Sequence, residues 1–193
     1  MIPFIGLTGG IGAGKSTALD ALERLGARCL STDREVHELY ASPDVREAVV
    51  ERFGPSVLAD GRIDRAALAR LAFAADADRS WLEGLLWPRV GERIVAWRDA
   101  LSELSPAPRA AVVEVPLLFE SGLDRGYDAT IAVIADEEVR ARRAGARGHE
   151  ALAQRSARQL SQEEKSQRAT FTVINDGTEA ELEQKLSAIL DKL

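Results

Sequence analysis

The sequence predicts an α/β protein built on a doubly wound, five-stranded parallel sheet with helices on both faces. Short apolar runs alternate with amphipathic helical patterns along the chain, as expected for strands joined by helical crossovers. The first apolar run passes directly into a glycine-rich turn and then into a helix. At 193 residues the chain fits one domain with room for an inserted subdomain.

The glycine-rich turn matches the pattern G-x-x-x-x-G-K-[ST] through Gly9, Gly14, Lys15 and Ser16. Glycine permits positive φ, so successive N–H groups can turn inward around a phosphate, and the next helix points its positive end at the same anion. The pattern predicts a nucleoside triphosphate site in which Lys15 reaches the β and γ phosphates and Ser16 holds Mg²⁺. A glycine-rich turn without a ligand is the alternative. The predicted loop residues are Gly9, Gly10, Ile11, Gly12, Ala13, Gly14, Lys15, Ser16 and Thr17.

The first helix should run to about Leu25, and a second strand follows at Ala27 to Leu30. Asp33 comes just after this strand. Ligands of parallel α/β sheets bind at the carboxyl ends of the strands, so Asp33 is placed to face whatever Lys15 holds, as a catalytic carboxylate. The alternative is that Asp33 only caps the helix through Tyr40, because Asp is a favoured N-cap residue.

Residues 34–104 are predicted to form an all-helical insertion, since this length far exceeds a plain crossover. Ser42-Pro43 and Asp64 are helix starts, and Gly54-Pro55 is a stop. Trp87-Pro88 should separate two further helices, because proline breaks or kinks a helix. An insertion here would lie over the phosphate site. Its tryptophans either pack in the core or stack on a substrate's base; they are Trp81, Trp87 and Trp97.

Three more strands are predicted, at 110–115, 129–134 and 172–174. The first of them resembles a Walker B strand, where a carboxylate acts on Mg²⁺ through water. Glu114 near its end is a candidate for that carboxylate. Glu120 is either a second candidate or an ordinary polar residue before a turn.

The most basic part of the chain, at about 138–168, has the composition of a helical lid. Its cations would close on the triphosphate and stabilise charge on the transferring phosphoryl group, with Gly145 and Gly148 as a flexible tip. Solvated helix faces and nucleic-acid binding are the alternatives. Ser161 to Glu164, near the end of this stretch, and Thr178 with Glu181, after it, predict capping boxes. The basic residues are Arg140, Arg142, Arg143, Arg147, Arg155, Arg158, Lys165 and Arg168.

Composition narrows the function classes. The formal net charge of -6 gives no basic field to attract nucleic acid. The single cysteine, Cys29, excludes an intramolecular disulfide framework and fits a reducing cytoplasm, where we expect it to be a buried thiol. The first residues show no signal-peptide pattern, and no apolar run has the length of a membrane span, so we expect no membrane association.

The choice among phosphate-loop proteins favours a small-molecule kinase. The chain lacks the N-K-x-D and D-x-x-G patterns expected of a GTPase. Nearly the full length resembles the dephospho-CoA kinase family, above all the loop joined to the run V-P-L-L-F-E. The matching segments are Leu7 to Thr17, Thr32-Asp33, Trp81-Leu82-Glu83 with Pro88, Val115 to Glu120, Arg140, Gln159 with Lys165, and Asn175 before Gly177.

The resemblance implies ATP-dependent phosphorylation of the ribose 3′-hydroxyl of dephospho-CoA, which gives CoA and ADP. Asp33 matches the family's aspartate that accepts the hydroxyl proton, and Lys15 with Ser16 match the phosphate and Mg²⁺ positions. Arg140 matches a lid arginine, and Asn175 with Gly177 match a turn near the adenine of ATP. On this interpretation 1–33 and 105–193 form the core, 34–104 helps to hold the CoA precursor, and the protein is a monomer or weak homo-oligomer.

The chain departs from the family pattern at four places: Ser31 for an aspartate, Trp87 for a histidine, Ala144 for a second lid arginine beside Arg143, and Ile174 for an aspartate. Two other functions compete with the main hypothesis. A kinase of the same fold could act on another nucleoside or nucleotide, and a regulatory module could bind ATP without turnover.

Overall fold

The computed structural model describes residues 1–145 and 159–193. The chain divides into two compact units, one formed by Met1–Ser31 with Ala100–Leu193 and the other by Thr32–Asp99. Each has its own hydrophobic core. The strands are β1 (Phe4–Gly9), β2 (Arg28–Ser31), β3 (Leu58–Ala59), β4 (Arg62–Ile63), β5 (Ala111–Glu114), β6 (Ala129–Ile134) and β7 (Phe171–Ile174). The described α-helices are α1 (Lys15–Arg24), α2 (Thr32–Leu39), α3 (Pro43–Phe53), α4 (Arg65–Ala72), α5 (Asp76–Ser102), α6 (Glu137–Gly145), α7 (Gln162–Arg168) and α8 (Glu179–Leu190).

The first unit contains the predicted five-stranded parallel sheet, in the order β2-β5-β1-β6-β7. Every residue of the central strand β1 is buried, and Ile5 and Leu7 are completely so. Such a continuous apolar run is typical of a parallel strand covered on both faces. Because β1 lies in the middle, the loop that leaves its carboxyl end lies between the ends of β5 and β6.

Helix α1 packs against α8 and the sheet through a face of small and apolar side chains. Ala18, Ala21 and Leu22 recur at helical spacing and are fully buried. They pack in one core cluster with Leu182 and Leu186 of α8, which are also at most 1% exposed. Burying one leucine side chain stabilises a fold by about 1.5–3 kcal/mol. This packing fixes the helix that begins at the phosphate loop.

Both predicted capping boxes are confirmed. The Ser161 hydroxyl accepts a hydrogen bond from the Glu164 N–H, and the Glu164 carboxylate accepts one from the Ser161 N–H. Thr178 and Glu181 make the same reciprocal pair at the start of α8. These bonds satisfy N–H groups that a helix start leaves without partners.

The second unit corrects two sequence expectations. It is not all-helical, because β3 and β4 form an antiparallel hairpin around Asp60-Gly61, both with positive φ. Nor does Pro88 separate two helices, since α5 continues through it. The residue four positions earlier, Gly84, is exposed and has open space around it, so loss of one backbone hydrogen bond is tolerated there.

The core of the second unit is made by apolar residues from α3, α4 and α5, with Val45, Val49 and Leu68 almost completely buried. Trp81 packs edge-on against Phe53 in this cluster, so core packing is the correct interpretation for this tryptophan. Trp87 is exposed and does not belong to it. Within the described ranges, no helix is both long and apolar enough to cross a membrane.

Candidate functional site

The loop between β1 and α1 has the backbone that its glycines predict. Gly12 and Gly14 have φ of +77° and +93°, in the left-handed region that side chains disfavour. Gly14 is the N-cap of α1, and the Ala13 N–H donates back to the Gly10 carbonyl over 3.2 Å. The loop therefore closes on itself and delivers the start of α1 to the carboxyl end of the central strand, where the positive end of the helix favours an anion.

Lys15 folds back into this loop. Its ammonium donates to the carbonyls of Gly9 and Gly10 at 3.1 and 3.4 Å, and lies 4.0 Å from a carboxylate oxygen of Glu114. Its side chain is only 14% exposed. The cation is thus held at the loop rather than extended into solvent, which is what a phosphate-binding lysine requires.

Glu114 is the carboxylate at this edge of the sheet. It ends β5, opposite Leu7 of β1 and Ser31 of β2, and is 8% exposed. The Ser31 hydroxyl donates to its second oxygen over 2.7 Å. Ser31 received no role from the sequence, yet it orients the carboxylate that faces Lys15. Of the two Walker B candidates, only Glu114 lies beside the loop lysine.

Arg140 reaches the loop from α6. Its Nε donates to the Ile11 carbonyl over 2.9 Å, and a second guanidinium nitrogen pairs with Glu137 over 2.7 Å. A Cβ on Gly10 would lie 3.1 Å from this guanidinium. The absence of a side chain at Gly10 therefore lets the arginine lie against the loop backbone.

Asn175, just after β7, contacts the other side of the loop. The Asn175 side-chain nitrogen donates to the Ala13 carbonyl over 2.9 Å, and the Asn175 backbone carbonyl accepts from Arg143 over 3.0 Å. Sequence reasoning left the role of Arg143 open, and the structure fixes it beside Asn175. A cavity of about 220 Å³ opens here, lined by Gly12, Gly14, Thr17, Arg143, Asn175, Gly177 and Glu179.

Lys165 does not belong to a solvated or ligand-facing basic surface. Its side chain is completely buried and forms a 2.8 Å ion pair with Glu120, which is therefore not an ordinary turn residue. A charge pattern alone gives no signal for this burial, because a lysine is almost never fully buried unless it is paired.

The remaining predicted residues lie as follows. Ser16 is exposed on the first turn of α1, and Asp33 is exposed as the second residue of α2, in the second unit. Asp33 is not the N-cap of its helix, because α2 already includes Thr32. Arg142, Arg168 and Ile174 are exposed. The predicted lid residues Arg147, Arg155 and Arg158 and the tip residue Gly148 lie outside the described residues.

A phosphate loop on the central strand of a parallel sheet, with an arginine-bearing helix against it, is the arrangement of a P-loop kinase. Comparison with known proteins narrows the class. A sequence model described as dephospho-CoA kinase matches residues 3–181. The chain belongs to the dephospho-CoA kinase family, whose members are ATP-dependent kinases, and the resemblance seen in the sequence is confirmed.

Individual relatives support the same family assignment. The dephospho-CoA kinase of Deinococcus radiodurans is 41% identical over 192 residues, which cover 98% of this chain and 91% of that protein. The crystal structure of TT1252 from Thermus thermophilus superposes with a TM-score of 0.84 at 34% identity, covering 100% of this chain and 98% of that one. Dephospho-CoA kinase from Campylobacter jejuni, at 22% identity and a TM-score of 0.64, shares the fold over 98% of this chain and 96% of its own.

Proposed function

We propose that this chain transfers the γ-phosphoryl group of ATP to the ribose 3′-hydroxyl of dephospho-CoA, giving CoA and ADP. The observation that carries the proposal is the pair of cations at the phosphate loop, Lys15 held by Gly9 and Gly10 and Arg140 held at Ile11. Phosphoryl transfer depends mainly on positioning and on stabilising negative charge over the transferring group. The loop, with Arg140 of α6 held against it, would supply both at one edge of the sheet.

The triphosphate would be bound by the loop backbone. Backbone N–H groups of the loop, apart from that of Ala13, which binds the Gly10 carbonyl, would face the β and γ phosphates. Lys15 would exchange its carbonyl partners for phosphate oxygens. Arg140 stabilises charge that develops on the γ-phosphoryl group. The turn at Asn175 and Gly177 borders the adenine, next to the cavity between that turn and the loop.

The oxygen donors near Lys15 fit Mg²⁺. Ser16 offers a hydroxyl on the first turn of α1, and Glu114 offers a carboxylate oriented by Ser31, all hard ligands that magnesium prefers. Among the described residues no group of three or more His, Cys, Asp or Glu side chains could hold a metal by itself. That suits an ion carried mainly by substrate phosphates. When bound, Mg²⁺ neutralises charge on the β and γ oxygens.

Asp33 is the proposed base. It follows the carboxyl end of β2 by two residues, at the start of α2, and its carboxylate would accept the proton of the ribose hydroxyl as that oxygen attacks phosphorus. The unit Thr32–Asp99 is proposed to help hold dephospho-CoA. Family resemblance supports both assignments.

The test is ADP release from Mg²⁺-ATP with dephospho-CoA, beside adenosine, cytidine monophosphate and a control without acceptor. We expect turnover with dephospho-CoA alone, with CoA as the product detected by mass. Turnover with a nucleotide instead would show a kinase of different specificity on the same fold. ATP binding without turnover on any acceptor would support a regulatory module and contradict the proposal.

A further inference from the structure

Helix α7 is fixed across the carboxyl ends of the three central strands by two side chains. Gln162 brackets the backbone of Ala135, just after β6: its amide oxygen accepts from the Ala135 N–H over 2.9 Å and its amide nitrogen donates to the Ala135 carbonyl over 2.8 Å. Lys165, one turn later, reaches Thr8 in β1 and Pro116 just after β5. The helix therefore spans the edge from which the phosphate loop leaves.

Every N–H donor of the Lys165 ammonium has an acceptor. A lysine has three N–H donors. They meet the Thr8 hydroxyl at 3.3 Å, the Pro116 carbonyl at 2.9 Å and the Glu120 carboxylate at 2.8 Å. Lys165 and Thr8 are both 0% exposed. A buried charge is tolerated only when it is paired and its hydrogen bonds are made, so this geometry stabilises the charged form in one fixed position.

The partners of Lys165 come from two distant segments, Thr8 from β1 and both Pro116 and Glu120 from the segment after β5. The Thr8 hydroxyl also donates to the Pro116 carbonyl over 3.3 Å, which closes a triangle between β1, the segment after β5 and α7. The Glu120 oxygen that binds Lys165 also accepts from the Leu160 N–H over 2.8 Å. The ammonium thus joins three segments that are far apart in sequence: β1, the segment after β5, and α7 with the residues just before it.

Thr8 is the link to the nucleotide site. It is followed directly by Gly9, whose carbonyl accepts from Lys15. A shift of Thr8 would therefore also move Gly9, the next residue, whose carbonyl binds the Lys15 ammonium.

We infer that Lys165 is a positioning residue for the phosphate loop. Its ammonium, held by Glu120, fixes Thr8 and the Pro116 carbonyl and thereby sets the backbone from which Gly9 and Lys15 meet the triphosphate. The inference rests on the proposed function only in taking that loop as the triphosphate site.

The test titrates Mg²⁺-ADP, which cannot turn over, into the full-length protein by calorimetry. Thr8→Val removes the hydroxyl but keeps the side-chain shape, and Thr8→Ser retains the hydroxyl. The double variant Lys165→Met/Glu120→Gln removes both charges yet leaves an acceptor for the Leu160 N–H. We expect Thr8→Val and the double variant each to weaken ADP binding about tenfold, the size of a lost hydrogen bond to a charged group, and Thr8→Ser to restore most of the affinity.

A stability control separates positioning from folding. Leu68→Ala opens a cavity in the core of the unit Thr32–Asp99, a cluster separate from the one that contains α1, and should lower the melting temperature without a matching loss of ADP affinity. In steady-state assays the KM for ATP should rise in Thr8→Val while the KM for dephospho-CoA stays the same.

Two results would overturn the inference. One is ADP affinity within twofold of the parent in folded Thr8→Val, which carries the test alone if the double variant does not fold. The other is an equal loss of affinity in Leu68→Ala. If the parent failed to phosphorylate dephospho-CoA, the proposed reaction would be wrong, but the ADP titration would still decide the role of Lys165.

Discussion

Asn175 donates a hydrogen bond from its side-chain nitrogen to the carbonyl of Ala13, 162 positions away in sequence. The Asn175 backbone N–H is itself held by the Ile134 carbonyl at the end of β6, over 2.8 Å. The phosphate loop is thereby tied to the sheet at a second point, opposite the one where it leaves β1. Because Asn175 is only 4% exposed, water cannot readily replace this bond.

We therefore expect Asn175→Ala to loosen the loop. A buried carbonyl left without a donor costs about 1–3 kcal/mol, so the melting temperature should fall and ATP binding should weaken by roughly tenfold. Thermal denaturation and calorimetric titration measure the two effects. Ile174→Ala changes the exposed neighbour and is the control. Unaltered nucleotide affinity in Asn175→Ala would show that the loop keeps its shape without the tether.

Gly14→Ala tests the close approach of the same asparagine. Gly14 has a φ of +93°, and a Cβ there would overlap the Asn175 side-chain nitrogen. Gly61→Ala is a matched control, because Gly61 also has positive φ, at +73°, but nothing lies within 4 Å of its Cβ position. In the control, the added backbone strain should lower the free energy of unfolding by about 1–2 kcal/mol and have no other effect.

In Gly14→Ala we expect the same strain together with loss of measurable ATP binding, since either the loop or Asn175 must move. Fluorescence or calorimetric titration with Mg²⁺-ADP gives the affinities. If both alanine variants bound the nucleotide equally well, the contact between Gly14 and Asn175 would have no part in the site.

Asp33→Asn should separate chemistry from binding. Losing a general base lowers the rate of the chemical step by about 10²–10⁴-fold, so kcat should fall by that order while the KM for ATP changes little. Lys15→Ala should instead weaken ATP binding, because the loop loses its cation. The control for Asp33→Asn is Glu38→Gln, which neutralises another carboxylate on α2. Near-normal turnover in Asp33→Asn would rule out the base assignment.

The parts of the site that could be predicted are those that depend on residues close together in the sequence. The phosphate loop needs glycine, lysine and serine at fixed spacing, and the capping boxes need a hydroxyl and a carboxylate three residues apart, so a short segment determines each. The hairpin in the second unit also had a local signal, the dipeptide Asp60-Gly61, which favours a two-residue turn with positive φ.

What could not be predicted depends on partners distant in sequence. Lys165 looks like any solvated lysine until Thr8, Pro116 and Glu120 converge on it from other segments. Cys29 shows the same limit in part. The apolar run around it predicts a buried thiol, but the side chain is only half-buried in the structure. This partial burial raises the pKa of Cys29 to about 12, a size that depends on the surrounding fold.

The capping box of α8 predicts a specific dependence of stability on pH. The pKa of Glu181 is lowered from its ordinary value of 4.5, chiefly because its carboxylate accepts a hydrogen bond from the Thr178 N–H. A carboxyl group with a lower pKa in the folded state stabilises the fold fully above 4.5, and this contribution is lost as the pH falls through the folded-state value. Glu164 has a lowered pKa for the same reason, through the Ser161 N–H.

Glu181→Gln keeps an oxygen that can accept the capping bond but removes the titration. We expect the free energy of unfolding, measured in urea between about pH 3 and pH 6, to fall less steeply toward acid in this variant than in the parent. Glu164→Gln should act in the same way, and the two effects should add because the boxes belong to different helices. Parallel stability curves for the parent and Glu181→Gln would mean that the carboxylate is not held by the Thr178 N–H in solution.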